Sequence, residues 1–202
     1  MPVPHFPEFV SAYRALQVNE IISIDETAIH ANLHPLYGYS ERGKRLRVPM
    51  KTMRASKYSL VVAMSSARIE HLEYVKGSYN AALFSGFIDR TLNAVGVRRN
   101  LTFLMDNVSF HKNKAIREKI TQRGHTVLFT PPYSPDMNPI ENVFSVLKHG
   151  IRRDYGKPLA LVLWSLRFFQ IPEATLTRMV HRSQWTSPDT IPPELFRWLP
   201  AM

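Results

Sequence analysis

Three acids occupy places where carboxylates could do chemistry together. Asp25 closes the apolar run "EIISI", Asp106 closes "LTFLM", and Glu141 lies in "TPPYSPDMNPIENVF", where a proline-rich loop turns into a helix. Carboxylates crowded into one place repel one another unless protons or cations intervene. Hard divalent ions such as Mg²⁺ and Mn²⁺ suit an all-oxygen ligand set. Two such ions about 4 Å apart activate an attacking water or hydroxyl and stabilise the leaving oxygen in phosphodiester chemistry. Taken singly, each acid reads equally well as the polar end of a strand or the cap of a helix. Their order and setting favour the joint role.

The surrounding elements must bring these acids together. Short apolar runs predict strands over 20–26, 57–66, 69–79, 100–107 and 125–130. Helical spacing predicts helices over 80–96 and 112–124, with Gly96 and Gly124 as stops. Pro131, Pro132 and Pro135 keep the next loop extended, Asp136 or Asn138 can cap the following helix, and Pro139 is tolerated in its first turn. Strands followed by alternating helices and strands indicate an α/β fold, a sheet flanked by helices. If the strands ending in Asp25 and Asp106 are adjacent and parallel, the two aspartates converge at one sheet edge, and the proline loop brings Glu141 over it. The Pro-punctuated tail reads as helices, with Trp164, Phe168 and Phe169 on a packing face.

Charge points to the partner. The chain of 202 residues has 26 Lys and Arg against 16 Asp and Glu, a net +10, and such an excess favours a polyanion, nucleic acid first. The stretch "RGKRLRVPMKTMR" (42–54) holds six basic residues and no acid, which suits an extended edge laid against phosphates; a solvated basic loop is the alternative. No apolar run is long enough to suggest a membrane span. The opening "MPVPHFPEF" lacks the features of a signal peptide. The absence of cysteine excludes disulfides and thiolate metal sites and fits a reducing compartment.

Smaller signals surround the acids. Glu26 follows Asp25 and in a strand points to the opposite face, which suits a structural or hydrogen-bonding role. Asn107 and Asn138 could orient carboxylates or cap turns. His111 and Lys112 follow the second aspartate and could meet DNA phosphates or simply line an exposed loop. His30 and His34 have metal-ligand spacing only if helical, and Pro35 argues for a structural role.

The segments "IISIDETAIH", "HPLYGYSERGKRLRV", "LTFLMDNVSFHK" and "TVLFTPPYSPDMNPIENVFSVLK" together resemble the catalytic domain of the mariner-like transposase superfamily, including its bacterial insertion-sequence branch. The last segment is the most specific, and the separation of Asp106 from Glu141 matches a spacing that superfamily uses. The resemblance covers about residues 20–153. It implies an RNase H-like mixed sheet and an Asp-Asp-Glu metal site, with Asp25 bridging two Mg²⁺ or Mn²⁺ ions and Asp106 and Glu141 each holding one. Phe144 stands where many relatives carry tryptophan. The implied activity is cleavage of DNA at transposon ends and strand transfer into target DNA, at TA dinucleotides by resemblance alone. Arg42, Lys44, Arg45 and Arg47, with His111 and Lys112, are the expected DNA contacts. A homodimer is implied by paired ends, and a separate helix-turn-helix module by the short stretch before the first strand. The domain reading is a linker remnant at 1–19, the catalytic domain at 20–156 and a helical extension at 157–202. A bacterial member would work in the cytoplasm at the nucleoid, a eukaryotic one in the nucleus. Alternatives are a non-catalytic regulator that dimerises with a full-length transposase, and a ribonuclease or junction resolvase.

Overall fold

Ile21, Ile22 and Ile24 are all fully buried, because the first strand carries helices on both of its faces. In the computed structural model, which describes residues 6–30, 38–45, 57–109, 111–132, 134–153 and 171–184, β1 spans Ile21–His30, β2 Lys57–Met64, β3 Ile69–Lys76, β4 Thr102–Met105 and β5 Thr126–Phe129. They form one mixed sheet in the order β3-β2-β1-β4-β5. β1, β2 and β3 pair antiparallel, while β4 and β5 lie parallel to β1.

β1 is longer than the expected 20–26. Thr27, Ala28 and Ile29 continue it because β2 runs alongside all the way to the His30–Lys57 pair. Asp25 therefore sits in mid-strand with respect to β2, though it is the first residue beyond the ladder with β4. His30 ends a strand and cannot share a helical metal site, and His34 lies outside the described residues.

Helices cover both faces. On one lie α2 (Ala81–Val95) and α3 (Lys114–Gln122), the crossovers into β4 and β5. Asn80 and Asn113 cap them, accepting from Leu83 N at 2.9 Å and Ala115 N at 3.0 Å. Phe84, Phe87, Ile88, Ile116 and Ile120 pack there on Ile22, Ile24, Val61 and Phe103. On the other lie α1 (Phe6–Ala15), α4 (Ile140–Arg153) and α5 (Glu173–Gln184). The α4 stripe Ile140, Val143, Phe144, Leu147 and Ile151 packs on Ile21, Val62 and Leu104, at the spacing of one helix face. Phe144 is thus buried, as its aromatic position implied.

The amino-terminal helix, expected as a linker, is built into this core through Phe9 and Tyr13. Tyr13 Oη and Ser183 Oγ lie 2.7 Å apart, and Gln184 Nε2 donates to Tyr13 O at 3.0 Å. Of the stretch 157–202, Glu173–Gln184 is helical; Trp164, Phe168 and Phe169 lie outside the described residues.

The outer strand β3 carries a polar cluster. Glu73 accepts from Arg90 at Nε and at Nη2 (2.8 Å), and lies 2.6 Å from His71 Nε2. Tyr79 Oη donates to it at 3.3 Å. Burial pushes the Glu73 carboxyl up, but the Arg90 and His71 hydrogen bonds outweigh it and hold the group below its usual range. This cluster ties α2 to the sheet edge.

Candidate active site

The last β1–β4 pair is Ile24 with Met105. One residue further along each parallel strand come Asp25 and Asp106, so the two acids leave neighbouring strands side by side. Alternation puts Asp25 on the face covered by α4, in step with Ile21 and opposite Ile22 and Ile24. The convergence expected from the sequence is present.

Glu141 arrives from that face. After β5 the chain runs through Pro131 and Pro132 into a single 3₁₀ turn, Pro135–Met137, and then into α4. Asn138 fastens this entry. It is buried, its Nδ2 donates to Ile24 O at 3.4 Å, and its Oδ1 accepts from Ile140 N at 3.4 Å. One side chain thus joins the start of α4 to the strand residue preceding Asp25, whereas Asp136 stays in the 3₁₀ turn. A cleft of about 340 Å³ results, lined by Asp25, Asp106, Asn107, Pro131, Asn138 and Glu141 among others.

The cleft is electrostatically unbalanced. Burial, then repulsion from Asp106 and more weakly from Glu141 and Glu26, pushes the Asp25 carboxyl up to about 8, although the Glu26 backbone N–H donates to Asp25 Oδ1 at 2.7 Å and opposes the shift. Glu141 is also raised, by partial desolvation and by Asp106 and Asp136, against the opposing pull of Lys148. Lys148, seven residues on and on the same side of α4, is a charged neighbour of Glu141 that sequence reading missed. Its signal was helical spacing from Glu141.

Glu26 contributes its backbone N–H here, while its side chain points to the α2 face as strand alternation requires. Asn107 lines the cleft, with Oδ1 buried and lacking a hydrogen-bond partner among the described residues. His111 is placed differently from expectation. It is 1% exposed, its Nδ1 contacts the Asp106 carboxylate and lies 3.4 Å from Asp106 O, and its ring packs on Phe84 with centroids 4.2 Å apart. A buried imidazole is out of reach of a phosphate; its visible work is to hold Asp106. Lys112, Arg42, Lys44 and Arg45 are exposed. Lys44 pairs with Glu41 across a turn that uses the left-handed Gly43 (φ 85). Arg47 lies outside the described residues.

The donor set fits a hard cation: three carboxylates and an unpartnered amide oxygen share one cleft, and added positive charge would favour the ionised form of Asp25, whose carboxyl is pushed up to about 8. Among the described residues no three acidic or histidine side chains are gathered tightly enough to form a finished cage.

A family profile described as "DDE superfamily endonuclease" matches residues 20–157. The chain belongs to that family. As a DDE superfamily endonuclease it also resembles solved structures. The Mos1 mariner paired end complex with Mn aligns at TM-score 0.72 and 20% identity, over 87% of this chain and 56% of that one. A pre-cleavage Mos1 transpososome aligns at 0.71 and 20%, over 87% and 56%. The Mos1 transposase catalytic domain with Raltegravir and Mg aligns at 0.65 and 20%, over 87% and 84%. The chain thus spans little more than half the length of the first two. No match was found among curated proteins. The likeness shows the fold of this endonuclease: an RNase H-like mixed sheet flanked by helices.

Proposed function

We propose that this DDE endonuclease is the catalytic domain of a mariner-like DNA transposase, with Asp25, Asp106 and Glu141 as its catalytic acids. The observation that carries the reading is the placement of Asp25 and Asp106 one step beyond the same parallel pair, with Glu141 delivered into their cleft. These three carboxylates would hold divalent cations, two by family resemblance; the Mg and Mn in the names of the similar Mos1 structures support that choice of ion. Bound ions would supply charge neutralisation at phosphate and a more acidic attacking water.

The chain's own residues do the rest. Asn138 and the Glu26 N–H fix the approach of α4 and the orientation of Asp25. His111 restrains Asp106, and Lys148 balances Glu141. Arg42, Lys44, Arg45 and Arg47 with Lys112 supply phosphate contacts. Hydrolysis breaks a phosphodiester at the transposon end and frees a 3′ hydroxyl, which then displaces an oxygen from a target phosphodiester. Pairing of two ends calls for a homodimer, in line with the paired-end names of the Mos1 complexes. End recognition belongs to a helix-turn-helix module, and a bacterial host would place the work at the nucleoid. Residues 20–156 form the catalytic unit in this reading, with 1–19 leading into it and 157–202 extending it.

Nicking of a short duplex at low salt with Mn²⁺ tests the proposal, comparing wild type with Glu141→Gln. Cleavage abolished by the substitution supports it; binding without cleavage in both proteins favours a regulator that acts through mixed dimers. Preference for RNA–DNA hybrids would overturn it.

A further inference from the structure

The end of the sheet opposite the acid cleft is arginine-rich. The turn from α2 into β4 carries Arg98 and Arg99, and the turn from α3 into β5 carries Arg123. The two turns are fastened together. Asn100 N donates to Gly124 O at 3.1 Å, Thr126 N to Leu101 O at 2.9 Å and Leu101 N to His125 Nδ1 at 3.4 Å. Gly96 (φ 69), Asn100 (φ 58) and Gly124 (φ 80) take left-handed conformations, so the path is tightly specified. Arg99 lies over the second turn: a Cβ on Gly124 would stand 4.0 Å from Arg99 Nη1.

The charges here are not cancelled. Arg98 Nη2 lies 2.7 Å from the Glu70 carboxylate, a buried group shared with Arg68 at 3.0 Å. Arg99 and Arg123 are exposed and form no ion pair among the described residues; Arg123 Nη2 donates only to the neutral Asn93 side chain, at 3.3 Å. Like charges on adjacent fixed turns repel, and an anion between them removes that cost. The guanidinium fork matches phosphate geometry. His125, buried beneath, is shifted toward its neutral form by burial and then by Arg123, Arg98 and Arg99.

We propose that Arg99 and Arg123, backed by Arg98, form a second DNA-backbone contact, distinct from the acid cleft. The assignment rests on the DNA-processing reading above. From Leu101 to Asp106 is five residues of extended chain, about 16 Å at roughly 3.3 Å each. The patch therefore meets a different stretch of DNA from the one being cut. Guanidinium groups on two surface turns suit phosphate oxygens, contacts that position DNA without reading its sequence.

The test is binding of a labelled duplex to the full 202-residue chain in EDTA across a salt series, with Mn²⁺-dependent nicking at saturating DNA measured alongside. Arg99→Ala/Arg123→Ala should lower the slope of log affinity against log salt by about two, at about 0.9 for each phosphate no longer neutralised, while nicking and melting temperature stay at wild-type values. Arg99→Lys/Arg123→Lys, which keeps the charge, should restore the slope. An unchanged slope in the alanine variant, with wild type binding and nicking normally, overturns the second contact alone. If wild type neither binds nor nicks duplex DNA, the patch and the transposase reading fall together.

Discussion

Asp25 and Glu73 lie two strands apart in the same sheet, on opposite faces, and their environments are opposites. Glu73 sits opposite Val61 on β2, with Arg90, His71 and Tyr79 all directed at its carboxylate. Asp25 sits opposite Val62, with Asp106 and Glu141 as its charged company. One carboxyl is held below its ordinary range and the other pushed up to about 8. An acid that serves the fold is supplied with cations by the fold. An acid surrounded by further acids keeps its proton or takes up a cation, and a divalent ion suits such a set of oxygens.

The sharpest way to break this contrast is to neutralise each acid in turn. Asp25→Asn should reduce Mn²⁺-dependent nicking by at least about two orders of magnitude, since metal assistance supplies several kcal/mol to the barrier. Glu73→Gln, assayed below its melting temperature, should stay within about twofold of wild type on the same scale. A large loss of nicking in the Glu73 variant would show that the outer cluster belongs to the chemistry.

Acidity separates the two acids next. Between the ordinary carboxyl value and about 8, the folded chain keeps a proton on Asp25 that the unfolded chain releases. Metal-free stability should therefore rise as pH is lowered from above 8 toward 4. Glu73 has the opposite sign, and its contribution is lost only as pH falls through its depressed value. Thermal melts in EDTA should show Asp25→Asn more stable than wild type at pH 8 and nearly equal to it at pH 4. Mn²⁺ should raise the wild-type Tm more at pH 8 than at pH 5.

A smaller effect comes from the compensated acid. Glu73→Gln should cost about 1 kcal/mol, or about 3 °C in Tm, because Arg90 is half-exposed and can turn to water. Combining it with Arg90→Ala should add little, the mark of one shared interaction. Smallest of all, Lys112→Ala should change nicking little at low salt and weaken duplex binding only slightly, read from the same salt series.

Much of this site was legible in the sequence because strands announce themselves by apolar runs. Acids at the ends of "EIISI" and "LTFLM" stay together if those strands pair in parallel, as they do. The helix bearing Glu141 was marked by its prolines, and Asn138 by its capping chemistry. What could not be read depends on the third dimension. The length of β1 was set by β2, a strand far along the chain that meets His30 only at Lys57. His111 follows an aspartate on what reads as an exposed loop; Phe84, brought over by α2, packs against its buried ring. Lys148 acquires meaning through Glu141, two turns back on the same helix. Arg99 and Arg123 are distant in the chain and become neighbours only because β4 and β5 pair.

The His30–Lys57 pair has a consequence for how such a protein can change. The segment between these two residues leaves and re-enters the sheet at positions clasped across one ladder. Its two ends stay joined whatever lies between, and doubling the length of such an insert costs only about 0.6 kcal/mol in closure entropy. The insert can therefore be lengthened, trimmed or exchanged without asking β1 and β2 to move. On the proposed reading, the stretch that meets DNA phosphates can be exchanged while Asp25, on the strand that leads into it, keeps its place.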